Sequence, residues 1–347
     1  MSELDVRLAG EADEREWSDY VRARAGDPQI TGYHEWSWRN VLHAVFGHEA
    51  VYLMARRRTD GAVQGVLPLV FIKSRLFGRT LTSLPFLNYG GVAADDDAAA
   101  RALLAAAERE ARTRRCRSAE LRHFERRFPD LPCKQHKVTM RLPLVGVSWD
   151  TLDRKVRNQV RKAQKSELVV ADGGAELVPE FYRVFARNMR DLGTPVYSRR
   201  LFERVVEAFP DRTRIVIVRL KGEAIAGALT FRTGATVEVP WASSIRDYNA
   251  LCPNHLMYWH MLESAQAAGA AVFDFGRSTP GEGTYKFKEQ WGAQAVPLTW
   301  EYCFLESGAV PDATPTNPKY RMAIELWKRC PLWLANTVGP RIVQAIP

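Results

Sequence analysis

A short segment of the chain, GRSTPGEGTYKFKEQWG (residues 276–292), sets two lysines between aromatic residues directly after a Gly/Pro-rich turn. A lysine ammonium held close to a reacting carbonyl group stabilises the oxyanion that forms there. In an extended segment, Lys286 and Lys288 point to the same face. We therefore predict that both lysines face a cleft. The alternative is a surface edge strand whose lysines guard against aggregation.

The opposite face of this extended segment would carry Tyr285, Phe287 and Glu289. We expect the aromatic side to anchor the segment in the domain while the lysine side contacts a ligand. Lys288 is the predicted catalytic residue, and Tyr285, Lys286 and Phe287 are predicted to bind substrate around it.

The stretch FDFGRST (residues 273–279) ends a strand and leads into the turn. Strand alternation places Asp274 opposite Phe273 and Phe275. Asp274 then either points toward the substrate, where it would hold an amine, or forms a buried ion pair with Arg277 that shapes the turn. Both readings stay open, and they make Asp274 a catalytic candidate and Arg277 a binding candidate.

The segment DRKVRNQVRKAQKSE (residues 153–167) has the spacing of an amphipathic helix. Its apolar stripe consists of Val156, Val160 and Ala163. Cations recur three and four residues apart on another face, at Arg154, Arg157, Arg161 and Lys165. Because arginine suits bidentate recognition of phosphate, this face predicts an anionic partner. The alternative is an ordinary solvated helix face.

The composition describes a globular protein of 347 residues with a formal net charge of +9, enough chain for two domains. Its five cysteines form no CxxC pair, and its seven histidines show no metal-ligand spacing, so we expect a reducing compartment and no metal. The polar N-terminal stretch is unlike a signal peptide, and no apolar run approaches the ~20 residues that span a bilayer. We therefore expect a cytoplasmic protein.

The elements that must position these residues occur twice in the same order. EAVYLMARRRTDGAVQGVLPLVFI and TRIVIVRLKGEAIAGALTFRTG each read as a β-hairpin. Each hairpin is followed by a further strand, a helix and a short strand, and each is preceded by helical segments. The order βββαβ predicts a mixed α/β (α+β) fold, with a mostly antiparallel sheet flanked by helices in each half.

The repeat also sets the predicted domain boundaries. We place the first domain at residues 1–147, and the second, which carries the predicted site, at 148–308. Residues 309–347 are predicted as a Pro-rich linker with an amphipathic tail. The end of that tail, LWKRCPLWLANTVGPRIVQAIP, either lies at a membrane interface with its tryptophans at headgroup depth or docks onto its own domain.

Two copies of βββαβ, together with GTYKFKEQWGAQ, RNQVRKAQK and WASSIRDYNALCPNHLMYWHMLESAQAAGAAVFDFGRST, resemble the FemAB-like family of tandem GNAT-type acyltransferases. SLPFLNYGG and PLWLANTVGP resemble the branch of that family associated with exosortase/PEP-CTERM and exopolysaccharide loci. The resemblance covers about residues 30–340. It implies amide formation by transfer of an aminoacyl or acyl group to an amine of a cell-envelope precursor.

The resemblance also implies roles for individual residues. In the Fem family, a lysine after a phenylalanine assists the acyl donor, and the matching pair is Phe287-Lys288. Relatives bind a diphosphate-linked sugar near the domain junction, which implies Arg157 and Arg161 for the diphosphate. Tyr248 and Trp241 lie where a GNAT-like sheet admits its ligand. Tyr248 is predicted near the amine, whereas Trp241 is as well explained by core packing.

The glycine-rich loop that cradles the pyrophosphate of coenzyme A in GNAT domains is missing from both halves. Its place holds SSIRDYNALCPNH in one half and NYGGVAADDDAAA in the other. Pro253 removes an N–H donor, and three aspartates would repel a pyrophosphate. This favours a donor other than acyl-CoA, and the resemblance implies aminoacyl-tRNA as that donor, with no bound cofactor. No long helical arm is visible between Ser166 and Arg199, which weakens the inference that tRNA takes part.

Two other functions remain as alternatives at this point. One is an acyl-CoA-dependent GNAT N-acyltransferase, which tight binding of CoA thioesters would support. The other is a non-catalytic module that binds RNA or a polysaccharide assembly complex. The binding module predicts that loss of Lys288 leaves function intact, whereas the enzyme requires a severe loss. A lipid-linked acceptor would add a peripheral position at the inner face of the membrane.

Overall fold

The computed structural model describes residues 3–75, 77–306, 310 and 318–346 of the chain. The chain divides into two compact units. Unit 1 comprises Met1–Lys137, Pro297–Pro311 and Ala345–Pro347, and unit 2 comprises Val138–Val296 and Asp312–Gln344. Every helix in the described part of the chain is too short or too polar to cross a bilayer.

Unit 1 and the strand that follows it along the chain contain the first ten helices and strands. In chain order they are β1 (Leu4–Leu8), α1 (Glu14–Ala23), α2 (Ser37–Phe46), β2 (Glu49–Arg57), β3 (Val63–Ser74), β4 (Gly78–Ser83), β5 (Ala93–Ala94), α3 (Asp97–Thr113), β6 (Ser118–His123) and β7 (Cys133–Pro143). Short 3-10 turns, which carry no label, are Glu11–Asp13, Gly32–His34, Ala175–Leu177 and Arg246–Leu251.

The remaining elements follow β7 along the chain. They are α4 (Arg154–Gln164), β8 (Leu168–Gly173), α5 (Val178–Leu192), α6 (Arg199–Ala208), β9 (Thr213–Leu220), β10 (Glu223–Thr233), β11 (Thr236–Ser244), α7 (Pro253–Ala267), β12 (Val272–Ser278), α8 (Gly283–Glu289), β13 (Gln294–Leu305), α9 (Pro318–Lys328) and α10 (Leu332–Val343).

The sheet of unit 1 has the strand order β1-β2-β3-β4-β6-β13, with β5 beside β3. All of these pairs are antiparallel except β4 with β6. Helix α3 begins where the Asp96 side chain accepts a hydrogen bond from the Ala99 N–H (2.7 Å). Its alanine- and leucine-rich face packs on β2 and β3, where Gly65 leaves room for Leu103.

The sheet of unit 2 has the order β7-β12-β11-β10-β9-β8, and its one parallel pair among the described strands is β11 with β12. Ala226 and Ala228 face the core shared with α4 and α7. Gly227, between them, faces the other way, where an added Cβ would lie 3.2 Å from Phe181 of α5. Helices therefore cover both faces of this sheet.

The predicted repeat is confirmed. Each unit contains an antiparallel hairpin, a third antiparallel strand, a helix and a strand parallel to the third: β2-β3-β4-α3-β6 and β9-β10-β11-α7-β12. The predicted α/β class, with mostly antiparallel sheets flanked by helices, is also confirmed.

The compact units differ from the predicted division at three places. Residues 138–147 lie in unit 2, because β7 pairs there with β12. Residues 297–305 lie in unit 1, because β13 pairs with β6. Helices α9 and α10 belong to unit 2 instead of forming a separate segment. Each difference comes from pairing between distant parts of the chain, which local patterns do not reveal.

Candidate active site

Two parallel strands of unit 2 separate at a pair of buried acids. β11 and β12 pair over three positions, and Glu238 opposite Asp274 is the last of them. Beyond this pair, β11 continues to Ser244 and β12 to Ser278 without further pairing between the two strands in the described part of the chain, so the sheet opens there. Asp274 is fully buried and Glu238 is buried. Cross-strand neighbours in register point to the same face, so both carboxyl groups lie on one side of the opening.

Asp274 is held by its neighbours in a fixed orientation. Its Oδ1 accepts hydrogen bonds from the Thr139 hydroxyl (2.5 Å) and from the Gly276 N–H (2.8 Å). Its Oδ2 lies 3.8 Å from Nε of Arg141. The structure thus brings Arg141 of β7 to Asp274, and the side chain of Arg277, the predicted partner, is exposed.

A β-bulge in β12 follows directly after Asp274. The register of β12 against β7 shifts between Asp274 and Arg277. Within the bulge, Gly276 has a φ of +75°, a conformation that costs little only for glycine. In the bulge, the carbonyl groups of Gly276 and Arg277 point toward the side chain of Lys288.

Lys288 is a buried cation that binds this bulge. Its Nζ donates hydrogen bonds to the carbonyl oxygens of Gly276 (2.9 Å) and Arg277 (3.0 Å). An ammonium has three N–H donors, so one remains for another acceptor. The ammonium does not point into bulk solvent, since the side chain is 7% exposed.

The predicted extended conformation of residues 285–289 is wrong, because Gly283–Glu289 form helix α8. Residues two positions apart lie about 200° apart around a helix. Lys286 is therefore exposed while Lys288 is buried, and the two lysines do not share a face. The helical spacing of Phe287 and Trp291, whose rings are 6.2 Å apart, was the available sequence signal.

Burial sets the proton affinities of this pair. Burial lowers the pKa of Lys288 to about 8, although the negative charge of Asp274 acts in the opposite direction and raises this pKa. Burial also raises the pKa of Asp274, and this is opposed by the hydrogen bonds from Thr139 and Gly276 and by the charges of Arg141 and Lys288. The result is a lysine that changes charge near physiological pH beside a carboxyl group with increased basicity.

Three buried polar atoms around Lys288 form no hydrogen bond within the described part of the chain: Asp274 Oδ2, Ser278 Oγ and Trp291 Nε1. A buried polar atom that lacks a hydrogen bond costs about 1–3 kcal/mol. Ser278 follows Arg277, whose carbonyl binds the lysine, and Trp291 begins the turn after α8. Such atoms can bind the polar groups of a ligand.

The aromatic residues of the segment pack as a cluster on α7. Phe287 contacts His255 and Tyr258, with ring centroids 5.1 and 5.2 Å apart. Tyr285 packs on the same core. Burial and the charge of Lys155 lower the pKa of His255 to about 4, so this imidazole is neutral at physiological pH. The predicted anchoring by aromatic residues thus has its counterpart in the structure, on a helix instead of a strand.

Trp241 and Tyr248, which are also predicted for the site, make contacts with other residues. The ring of Trp241 is buried against Phe202 of α6, with centroids 5.3 Å apart, which favours its role in core packing. The Tyr248 hydroxyl lies 3.5 Å from a carboxylate oxygen of Glu223. Neither contact brings these side chains to Asp274 or Lys288.

Helix α4 has the predicted amphipathic form. Val156, Val160 and Ala163 are buried, and the helix packs on α7. Arg157 is half-buried and lies 4.0 Å from Asp150, while its Nε forms no hydrogen bond to the described residues. Arg161 is exposed and stacks over the ring of Trp149, at 5.3 Å. The two guanidinium groups are thus available to an anion.

Sequence reasoning missed Thr139, Arg141, Glu238 and His255. The first two are 135 and 133 positions from Asp274 and meet it through the pairing of β7 with β12. No local pattern in the sequence marks such neighbours. Glu238 had one available signal, since VEVPW places an acid inside an otherwise apolar strand. Among the described residues, no group of three or more His, Cys, Asp or Glu side chains is arranged to hold a metal ion.

Residues 152–289 match the family model described as "Acetyltransferase (GNAT) domain". This stretch begins just before α4 and ends at α8, so it includes Asp274 and Lys288. The part of unit 2 that carries Asp274 and Lys288 is therefore similar to a GNAT acetyltransferase domain.

A more particular relationship comes from a protein of Staphylococcus haemolyticus (strain JCSC1435), "Lipid II:glycine glycyltransferase", which is 28% identical over 110 residues. The match covers 30% of this chain and 26% of that relative, so it spans about a quarter of the relative's length. The similarity therefore concerns one part of that relative.

Two solved structures show the same fold over most of the chain. The crystal structure of FemX has a TM-score of 0.64 at 16% identity, and covers 92% of this chain and 100% of that one. A tandem GNAT protein from the clavulanic acid biosynthesis pathway has a TM-score of 0.59 at 11% identity, with coverage of 89% and 100%. At these identities the similarity concerns the fold alone.

Proposed function

We propose that this protein is a Fem-like N-acyltransferase that forms an amide between a carried aminoacyl or acyl group and an amine of a cell-envelope precursor. The observation that carries the proposal is the buried Lys288 ammonium, which is hydrogen-bonded to the β12 bulge beside Asp274, where β11 and β12 separate. This places a cation and a carboxylate at the opening of a GNAT-type sheet.

In the proposed reaction, the third N–H of Lys288 donates to the acyl carbonyl oxygen and stabilises the oxyanion. The amine nitrogen forms the new C–N bond, and Asp274 Oδ2 accepts the proton that this nitrogen loses. The bond between the acyl carbon and its carrier then breaks, and the carrier oxygen or sulfur takes the proton from Asp274, which returns to its carboxylate form. The raised pKa of Asp274 suits the acceptance of that proton.

Ser278 and Trp291 add two further groups to this proposal. Their buried Oγ and Nε1 atoms, which lack hydrogen-bond partners among the described residues, are available to orient the polar part of a substrate. Tyr248 and Trp241 are left out of the proposed chemistry because of the contacts they already make.

For the acceptor, we propose a precursor that carries a diphosphate-linked saccharide. Arg157 and Arg161 support this, because their guanidinium groups lie one helical turn apart on α4 and have weak or no acidic partners among the described residues. Aminoacyl-tRNA is the proposed donor, since α7 begins at Pro253 without a glycine-rich loop. An acceptor carried by a lipid would bring the enzyme to the inner face of the membrane.

The resemblance to the exosortase/PEP-CTERM branch suggests that the precursor belongs to exopolysaccharide assembly. Neighbouring genes for polysaccharide export would support that assignment, and neighbouring genes for peptidoglycan synthesis would contradict it.

An acyl-CoA donor is the second candidate, because the matching family model describes acetyltransferases. Direct titration with acetyl-CoA and longer CoA thioesters separates the two donors. Turnover of a thioester would overturn the aminoacyl-tRNA proposal while leaving the role of Lys288 intact.

The first prediction concerns Lys288 itself. In a strain that lacks the gene, we expect mass spectrometry of envelope precursors to show the loss of one acylated species. The wild-type gene should restore it, whereas Lys288→Ala should lower the rate of formation by at least about 100-fold, the usual cost of removing an oxyanion-stabilising group.

Lys286→Ala is the matched variant, since it removes the same charge from the same helix at an exposed position. We expect it to change the rate only several-fold. Lys288→Met keeps the aliphatic stem and serves if the alanine variant unfolds. Full restoration of the acylated species by a folded Lys288 variant would refute the proposal and favour a non-catalytic binding module.

A further inference from the structure

Four large apolar side chains of unit 2 are exposed on three neighbouring helices: Leu192 (59%), Met322 (76%), Leu326 (65%) and Trp333 (69%). They lie at the end of α5, on α9 and at the start of α10. Single exposed apolar residues need no explanation, but a group of them on packed elements does.

The packing of these helices brings the four residues to one region. At the end of α5, a Cβ added to Gly193 would lie 2.5 Å from Cγ2 of Ile324 on α9. Between α9 and α10, the Cys330 carbonyl accepts a hydrogen bond from Arg190 of α5 (3.0 Å). The C-terminal end of α5 is therefore the point at which α9 and α10 meet.

Each of the two C-terminal helices has one face on the protein and another toward solvent. Met322 and Leu326, four residues apart, share a face of α9, whereas Ile324 lies about 200° away and faces α5. On α10 the buried positions are Ala335, Gly339 and Val343. Trp333 precedes the first of these by two residues and points to the opposite side.

The charge around these side chains is positive. Residues 322–344 contain three cations (Lys328, Arg329 and Arg341) and one acid (Glu325), a net charge of 3 − 1 = +2. Glu325 is already paired with Lys328 (2.7 Å). A second copy of this chain would bring two positive surfaces together, so the charge favours an anionic partner.

We propose that Leu192, Met322, Leu326 and Trp333, the apolar surface, dock onto a bilayer that contains anionic phospholipid. Exposed tryptophan and aliphatic side chains among cations are typical of segments that lie in the headgroup region. The anionic lipids of the membrane attract the surrounding cations. The proposal rests on the proposed function only for its setting, a reaction on a lipid-carried acceptor.

The test is co-sedimentation of the full chain with two kinds of vesicle. One kind contains phosphatidylcholine alone, and the other contains phosphatidylcholine with about 30% of the anionic lipid phosphatidylglycerol. We expect binding to the anionic vesicles that weakens as salt increases, and at least about tenfold weaker binding to the neutral ones. The triple variant Met322→Ser, Leu326→Ser, Trp333→Ser should lose at least about tenfold in affinity for anionic vesicles.

Val169→Ser is the matched control, because Val169 is 61% exposed on β8 of the same unit. We expect it to bind vesicles like the wild type, and the melting temperatures of all variants should show that they are folded. Equal binding by the triple variant, or no binding by the wild type, would overturn the proposal. So would a wild-type dimer in light scattering that the triple variant abolishes, because the surface would then pair with a second copy.

The vesicles contain no donor or acceptor, so failure of this test leaves the acyl-transfer proposal untouched. Conversely, Lys288→Ala should bind vesicles normally while it fails to restore the acylated precursor. The two proposals therefore fail independently.

Discussion

At the scale of single residues, the candidate chemistry depends on how deeply Lys288 is buried. An exposed lysine stays fully charged near neutral pH and is strongly hydrated, so it stabilises an oxyanion poorly. Burial removes water from the ammonium and lowers its pKa to about 8. The two carbonyl groups of the β12 bulge then replace the lost hydration on one side and leave the other side for a ligand.

The second prediction is a pH dependence. If the ammonium form is required, kcat/KM should fall about tenfold per pH unit above pH 8, since the charged lysine is lost as the pH rises through its pKa. It should also fall at low pH, where Asp274, whose pKa is raised by burial, becomes protonated and no longer accepts the proton of the amine. The measurement is a pH–rate profile with the envelope precursor that mass spectrometry identifies in the first prediction. A rate that rises through pH 8 would assign Lys288 as a base instead.

Two variants check the origin of that profile. Lys288→Arg keeps its charge at every pH used, so its residual activity should lack the decrease near pH 8. Asp274→Asn removes the negative charge that raises the pKa of Lys288, so the decrease should begin at a lower pH. A decrease that stays near pH 8 in both variants would mean that another group titrates.

At the scale of elements, helix α4 illustrates how one sequence pattern serves two purposes. Its apolar stripe attaches it to α7, and this attachment fixes the direction in which Arg157 and Arg161 point. The stacking of Arg161 on Trp149 limits the rotamers of that long side chain. The helix thus presents two guanidinium groups at reduced entropic cost.

The third prediction concerns these arginines. Arg157→Ala and Arg161→Ala should each weaken the binding of inorganic pyrophosphate, measured by calorimetry, by about tenfold, because each removes a charge-assisted hydrogen bond of at least about 1.4 kcal/mol. Added salt should weaken the binding further.

Lys162→Ala is the comparison for this prediction, since it removes a charge from another side of the same helix. A loss equal to that of the arginine variants would show that only the overall charge matters, and would argue against a diphosphate site at Arg157 and Arg161.

At the scale of the whole molecule, the C-terminal helices are part of unit 2. Gly339 of α10 lies so close to Val196 that an added Cβ would be 2.9 Å from its backbone nitrogen and 3.2 Å from its carbonyl oxygen. Glycine is a poor helix former, so its place inside α10 is explained by this close approach. Of the two alternatives predicted for the tail, the structure shows docking onto its own unit, and the membrane interface stays a prediction.

The fourth prediction tests this packing. Gly339→Leu should lower the free energy of unfolding by about 1–3 kcal/mol, because the new side chain has no space beside Val196. Thermal or urea unfolding measures the loss. Thr337→Leu, at an exposed position of the same helix, should have little effect. Equal stability of the two variants would show that α10 does not pack on Val196.

The amino-acid sequence by itself determined the order of elements, because local spacing carries that information. The two hairpins can be recognised from apolar strands on either side of Asp60-Gly61 and Lys221-Gly222. Helix α4 can be recognised from apolar residues that recur with the 3.6-residue period of a helix. The sequence also singled out Asp274 and Lys288 as candidates, since an acid between phenylalanines and a lysine between aromatic residues are unusual in a core.

Only the tertiary structure decided what surrounds these two residues. The bulge at Gly276, the contacts of Asp274 with Thr139 and Arg141, and the burial of Lys288 all depend on β7 pairing with β12 across more than 130 positions. The segment around Lys288 became a helix because Phe287 and Trp291 pack together on α7. Charge burial is a property of the assembled core, so no local pattern could show that the lysine would lose its water.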